Sequence, residues 1–470
     1  MSIFNNILLG ASAQSTTTPV YSVDQSIRFN NTGSNSTSHY FSKTFSSAGN
    51  QKTWTLSWWM KMGSGSDRRS IFSRRVGSGG DDAFRVRIIE DSGGSSSQMD
   101  IYFGKGSGNV VDGPYTNLKF RDKSAWYHCV IKFDTTELYP ESRMRIYVNG
   151  RDETEYSGSS GTFAYDTAYA TWNTASTHEI GRQMVDNDNW FDGYMAEIVF
   201  IDGTAHNPTS FGEYNSSGIW VPKNINDQSF TFGTNGFYLT GQDASNLGYD
   251  YQTSDRSGTT NDWTSNNFAA DDQKKDSPTN NHATWNSLTP SAQTYSNGNL
   301  NAASSGNAWK GGFTTVQVPL NSGTWYYEVY VDSAGSSSGQ FSVGWSESNR
   351  SVSDDNSSGD TEGWVTYAIN GSYYANGGSG SLGDTYTTGD VIGCKIDTNS
   401  TSNNVEFYKN GASQGTRSQA FNTGGTGFIS PYILLYGTRN ATARFAQAEW
   451  TQTPSGITDA NAINTKNLGS

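Results

Sequence analysis

Charge is scarce in this 470-residue chain: Asp, Glu, Lys and Arg make up 16% of it, against the ~25% usual in globular domains. Basic residues are the scarcer kind, 31 against 44 acidic, for a net charge of −13. No positive field attracts phosphates or anionic lipid, so nucleic acid is not an expected partner. No stretch reaches the ~18 to 20 uninterrupted apolar residues of a membrane span, so membrane insertion is not expected. Cysteine is nearly absent. Cys129 and Cys394 each lie inside a strand-like run, WYHCVIKFD and DVIGCKID, in different parts of the chain. They read as small buried hydrophobes of a protein folded in a reducing compartment rather than as a disulfide. Helix formers of the Leu, Ala, Glu and Lys kind are sparse, which excludes a helix bundle, a coiled coil and a doubly wound α/β enzyme.

What is abundant points the other way. Glycine supplies 52 residues, above the ~7% expected, and 14 Trp, 26 Tyr and 23 Phe make the chain 13% aromatic, enough to build large cores. Thr, Val, Ile, Tyr, Phe and Trp recur between Gly, Ser, Asn and Asp clusters, the composition of short strands joined by tight turns. The chain is therefore expected to be all-β: two antiparallel jelly-roll-like sandwiches joined by a structured, strand-containing connector.

The opening MSIFNNILLGASAQ has an apolar stretch before Ala-Ser-Ala, as a signal peptide would. No Lys or Arg precedes it, however, and Asn5 and Asn6 interrupt it. Ile3, Phe4, Ile7 and Leu8 share one face at helical spacing. Residues 1–20 read as a docking segment that anchors the chain to a partner, the alternative being an arm lying on its own domain.

From about residue 21 to 205, strand-like runs alternate with turns: SIRFN, TWTLSWWMKM, FRVRIIE, MDIYFG, WYHCVIKFD, RMRIYVNG, HEIGRQM and YMAEIVFIDG. In the second run Trp54, Leu56, Trp58 and Met60 share one face by the period of two, with Trp59 opposite. The order WTLSWWMK, WYHCVIKFD, RIYVNG, EIGR and FDGYMAEIVFID resembles the laminin G-like, concanavalin A-like jelly rolls. The resemblance implies a curved antiparallel sandwich that binds carbohydrate or protein, sometimes through calcium.

Residues 291–450 repeat the style with GTWYYEVYVDS, GQFSVGWSES, GWVTYAING, TTGDVIGCKID, NNVEFYKNG and GFISPYILLYG. This order resembles the SPRY family, which implies a β-sandwich binding module and no enzyme. Both halves carry a strand that ends in Asn-Gly, at Asn149-Gly150 and Asn410-Gly411, the dipeptide suited to hairpin turns in which both central residues need positive φ. Residues 206–290 fit neither family, yet IWVP, FTFGTNGFYLTG and NDWTSNNF are too apolar for a bare linker, so strands packed against a sandwich are expected. Residues 451–470 read as a C-terminal tail. A laminin G-like unit, this connector and a SPRY-like unit in one chain together resemble structural proteins of tailed bacteriophages, particularly marine ones. That implies a virion surface protein, a tail fibre, capsid fibre or decoration protein, made in the bacterial cytoplasm. Its implied partners are other virion proteins, a host-surface glycan or protein, and further copies of itself.

Chemistry is thin. No Glu has Asp two residues later, so the carboxylate string of glycan-cleaving jelly rolls is missing, and the five histidines show no metal-ligand spacing. GSGSLG, from Gly378 to Gly383, fits a dinucleotide pattern but opens no helix and reads as a loop. No catalytic residue and no obligate cofactor is expected. Asp186, Asp188 and Asp192 in VDNDNWFDG are hard oxygen ligands close enough together for calcium, or else turn formers. Trp190 in the same loop stacks on a sugar if exposed, or packs under the loop. Arg68, Arg69, Arg74 and Arg75 form an anionic-glycan patch or a charged edge strand. Tyr373 and Tyr374 in NGSYYANG are candidates for a SPRY-like binding loop. The reading is a non-enzymatic adhesion protein, the alternatives being a purely structural particle component and a polysaccharide-degrading enzyme.

Overall fold

The computed structural model describes residues 21–468 apart from 65–67, 76–82, 90–96, 106–108, 157–161, 184–188, 256–259, 290–292, 306–307, 336–340, 352–361, 377, 403 and 422–426. The chain is all-β. It forms two compact units, one ending at Thr279 and the other beginning its sandwich at Asn280. The docking segment with Ile3, Phe4, Ile7 and Leu8 lies outside the described residues.

In the first unit, Thr53–Met62 and Gly193–Asp202 pair antiparallel at the centre of an eight-stranded sheet that continues through Trp126–Asp134 to Met144–Val148. A second eight-stranded sheet runs from Asn109–Thr116 through Ala83–Ile89, Arg68–Arg75 and Thr177–Ile180 to Tyr40–Thr44. Period-two alternation sends Trp54, Leu56, Trp58 and Met60 into the space between the sheets. There Trp54 meets Phe84 edge-on at 6.0 Å and Trp58 meets Phe72 at 4.9 Å.

Trp59 points the other way, and it is buried too, at 3% exposure. The cover comes from residues 206–279. Phe211, Ile225, Phe232, Tyr238 and Tyr251 pack on Val130, Val199 and Ile201, while Trp220 joins Trp59, Trp126 and Tyr194. The same segment extends both sheets: Phe237–Leu239 pairs with Gly193–Asp202, Gln273–Lys274 with Ser26–Phe29, and Thr264–Asn266 with Tyr40–Thr44. Trp263 enters the main core. The apolar words that set this segment apart from a linker are thus the residues that close the outer face of the first sheet.

The second unit opposes two seven-stranded sheets. One is centred on Thr324–Ser333 and Val391–Asp397, the other on Phe428–Tyr436 and Phe341–Glu347. Tyr327 and Trp345 meet across them at 5.3 Å. Residues 283–285 and 462–463 belong to this fold, since Trp285, Ala462 and Ile463 are fully buried. GSGSLG does not remain a loop: Gly378–Ser381 pairs with Ser372–Ala375 as the last strand of its sheet.

The two Asn-Gly turns share one geometry. Asn149 and Gly150 have φ of 48° and 77°, Asn410 and Gly411 of 49° and 82°. Each Asn also exchanges a pair of hydrogen bonds with the neighbouring strand, Asn149 with the backbone of His128 and Asn410 with that of Val391, all at 2.8 Å.

Candidate functional site

Two of the loop candidates, Trp190 and Asp192, lie in one described segment of the first unit. The segment 189–192 is stitched between two strands: Ser70 N–H donates to the Asn189 carbonyl at 2.8 Å, and Gly63 N–H to the Asp192 carbonyl at 2.9 Å. The fit at Gly63 is close, because a Cβ there would lie 2.0 Å from Asp192 Oδ1. Asp192 is buried, and its Oδ2 accepts from Asn31 N–H at 3.3 Å. Its carboxylate is thus engaged in holding loops together, while Asp186 and Asp188, its partners in the calcium reading, lie outside the described residues. Among the described residues no group of three or more His, Cys, Asp or Glu side chains is placed to hold a metal ion.

Trp190, at 6% exposure, packs under its loop and offers no face to a sugar. The arginine patch is corrected as well. A bulge between Ser70 and Phe72 resets the alternation of the strand Arg68–Arg75, so that Arg69 and Arg74 turn inward with Ile71 and Phe72. Arg69 Nη1 lies 3.9 Å from Met62 Sδ, and Arg74 donates to Ser176 Oγ at 3.1 Å and to the Ala170 carbonyl at 3.2 Å. Of these three, Arg68 alone is exposed.

In the second unit Tyr373 and Tyr374 stand on the strand Ser372–Ala375, not in a loop. The turn at Asn370-Gly371 precedes them, with Gly371 at φ 81°. Tyr373 is half-buried beneath the Arg417 guanidinium, 3.8 Å from the ring centroid, and Arg417 Nη2 donates to the Ser381 carbonyl at 2.8 Å. Tyr374 Oη accepts from Asn370 Nδ2 at 3.3 Å. Arg417 belongs to the edge strand of the opposite sheet, so the Tyr373 contact closes the sandwich edge, and Tyr374 beside it is half-buried as well.

Under the cover of the first sheet lie several buried polar groups. Lys61 Nζ and Trp126 Nε1 both donate to Asp276, at 2.8 and 2.9 Å. His128 is held by Ser57 and Trp220. Glu197 stands at a β-bulge with φ 51°, a strained setting for a non-glycine residue. It accepts from Tyr21 Oη at 3.1 Å and from the Tyr238 hydroxyl. Burial pushes its carboxyl up to about 7, against the stabilising effect of the two phenols. That is the range of a general acid, but the group is sealed beneath both tyrosines.

What sequence reasoning missed is the opposite class of residue. Among the described residues, Leu138, Tyr139 and Tyr165 are three of the five exposed large hydrophobics, the others being Tyr214 and Leu288. Tyr139 stands in TTELYPES, a polar connection between the strands Trp126–Asp134 and Met144–Val148.

Residues 31–207 match the family model described as the concanavalin A-like lectin/glucanases superfamily, and residues 324–448 match the SPRY domain model. Comparison with curated protein sequences finds no match. Among solved structures, the chain is similar to the SPRY domain of human HERC1, at 18% identity, covering 34% of this chain and 96% of that one with a TM-score of 0.28. It is similar to a heptameric SAP-like pentraxin from Limulus polyphemus, at 14% identity, covering 39% and 78% with a TM-score of 0.29. A putative carbohydrate binding protein from Bacteroides ovatus gives 18% identity, 53% and 61% coverage and a TM-score of 0.32.

Proposed function

We propose that this chain is a non-enzymatic adhesion protein whose sandwiches hold carbohydrate or protein, displayed in many copies on the surface of a tailed-bacteriophage particle. A lectin-like domain and a SPRY domain in one chain are binding folds and support the first half of this reading. The observation that supports the non-enzymatic part of this reading is the closed outer face of the first sheet. A glycosidase needs two carboxyl groups about 5 to 10 Å apart on either side of a bound sugar. Here Glu197 is covered by Tyr21 and Tyr238, and both oxygens of Asp276 are engaged, by Lys61 and Trp126. Binding is then left to loops and edges, where individual contacts are weak and many copies supply avidity.

The particle location rests on the resemblance of the domain combination. In this reading residues 1–20 dock the chain on another virion protein, and the exposed units face the host. Full-length protein displayed at high valency on a glycan array and on host envelopes tests adhesion: saturable retention is expected, and its absence from both would favour a purely structural component. Antibody labelling of intact particles tests location. Deleting residues 2–14 is expected to abolish incorporation; normal incorporation of the truncated protein would contradict the anchoring.

A further inference from the structure

We infer that Tyr139 and Tyr165, with Leu138 beside Tyr139, form a stacking platform for a neutral hexopyranose ring of a glycan. The inference rests on the adhesion reading above and gives it a place in the molecule.

Leu138, Tyr139 and Tyr165 are 73%, 66% and 55% exposed. A domain that buries Trp54, Trp58, Trp172 and Trp263 almost completely leaves these three in water, although the backbone beside them is tied by hydrogen bonds. Arg143, itself 6% exposed, donates to the carbonyls of Glu137 at 2.9 Å, Leu138 at 2.9 Å and Phe163 at 2.6 Å. Its guanidinium also faces the Tyr165 ring, 5.5 Å from the centroid. One buried cation therefore joins the loop that carries Leu138 and Tyr139 to the loop that carries Tyr165. Asp166 N–H adds a second tie by donating to the Thr135 carbonyl at 2.7 Å, and Pro140 opens a short 3-10 turn directly after Tyr139. A backbone held this way loses little freedom when a ligand covers the side chains it presents.

Three features select the ligand. The patch has flat apolar faces beside two polar pairs, the half-exposed Lys52 with Asp166 at 2.9 Å and the more buried Lys132 with Glu137 at 3.7 Å. A pyranose has the same make-up, a C–H face for the ring and hydroxyls for carboxylate and ammonium at its rim. Each of these charges has an opposite neighbour, so the patch favours a neutral sugar over an anionic one. Its size excludes a stable protein interface: three side chains expose on the order of 300 Å², under half of the ~800 Å² per partner such an interface uses.

The test is retention of full-length protein on an array of neutral and uronic-acid oligosaccharides, with millimolar methyl hexopyranosides as competitors. Tyr139→Ala and Tyr165→Ala are each expected to weaken retention at least roughly threefold and together about tenfold or more. Tyr139→Phe and Tyr165→Phe keep the stacking face and are expected to bind as wild type. Unchanged melting of the alanine variants shows that the loss is local. Equal retention by the alanine variants would overturn this site and leave adhesion standing. No retention by wild type would overturn both. Loss of only a protein partner, with glycan retention intact, would overturn the assigned ligand class.

Discussion

The indole N–H of Trp220 donates to Nδ1 of His128 at 3.0 Å, while Nε2 of the same imidazole faces the Ser57 hydroxyl at 2.9 Å. Because an indole can only donate, Nδ1 must accept and the ring proton sits on Nε2, aimed at Ser57. Trp59 stacks on the imidazole face with its centroid at 4.8 Å, and Trp220 lies nearly coplanar with the ring at its Nδ1 edge, its centroid 5.9 Å away. A second proton would cost the Trp220 hydrogen bond and place a charge among aromatic rings.

Burial accordingly pushes His128 down to about 3, and His178, beside Trp172 and Phe45, also to about 3. In the unfolded chain both titrate near 6.5. The unfolded state therefore takes up two protons that the folded state refuses, and stability falls as pH drops from about 6.5 towards 3. Urea denaturation across pH 7 to 4 is expected to show a loss of several kcal/mol. His128→Asn is expected to be less stable at pH 7 but to flatten this slope; an unchanged slope would contradict the account.

Glu197 has the opposite sign. Its folded value of about 7 lies above the ordinary 4.5, so the folded state favours the neutral acid. The contribution is complete below about pH 4.5 and is lost as pH rises through 7. Glu197→Gln is expected to gain on the order of 2 kcal/mol over wild type at pH 8 relative to pH 5. A variant whose denaturation midpoint keeps the wild-type pH dependence would count against the buried neutral acid.

The two Asn-Gly turns predict unequal responses to one substitution. Gly150→Ala must accept positive φ and also place a Cβ 2.3 Å from the Trp220 ring, whereas at Gly411 the nearest atom is 3.4 Å away. Gly411→Ala is expected to cost ~1 kcal/mol from backbone strain. Gly150→Ala adds displacement of Trp220, for ~2 to 4 kcal/mol in all. Equal shifts in denaturation midpoint would contradict the packing described for Trp220.

Cys129 and Cys394 are fully buried, and burial pushes both thiols well above their ordinary range. Thiolate is the reactive form, so both are expected to resist a disulfide reagent in the folded protein and to react, two per chain, in denaturant. Fast labelling of either under native conditions would contradict its place in the core.

Most of the fold was legible because strand periodicity and turn chemistry are local. TWTLSWWMKM shows its inward face at Trp54, Leu56, Trp58 and Met60, and Asn149-Gly150 and Asn410-Gly411 announce their turns. The cover over Trp59 was legible only as apolar words, since pairing of Phe237–Leu239 with Gly193–Asp202 depends on contacts some 40 residues apart. The site candidates were less legible. A Trp in a polar loop reads the same whether exposed or buried, and Trp190 is buried because Ser70 and Gly63 pull its loop down. The inward turn of Arg69 follows from a bulge that no period-two pattern reveals. Tyr139 and Tyr165 come together only through Arg143, whose three backbone acceptors lie up to 20 residues away.

In the proposed function the chain holds glycan without cutting it. The most direct measurement incubates full-length protein with a host-envelope polysaccharide that it retains, and follows bound fraction and new reducing ends together. Saturable binding with no rise in reducing ends is the result expected from a closed sheet face with Glu197 sealed under Tyr21 and Tyr238. Reducing ends that accumulate in proportion to protein would contradict it.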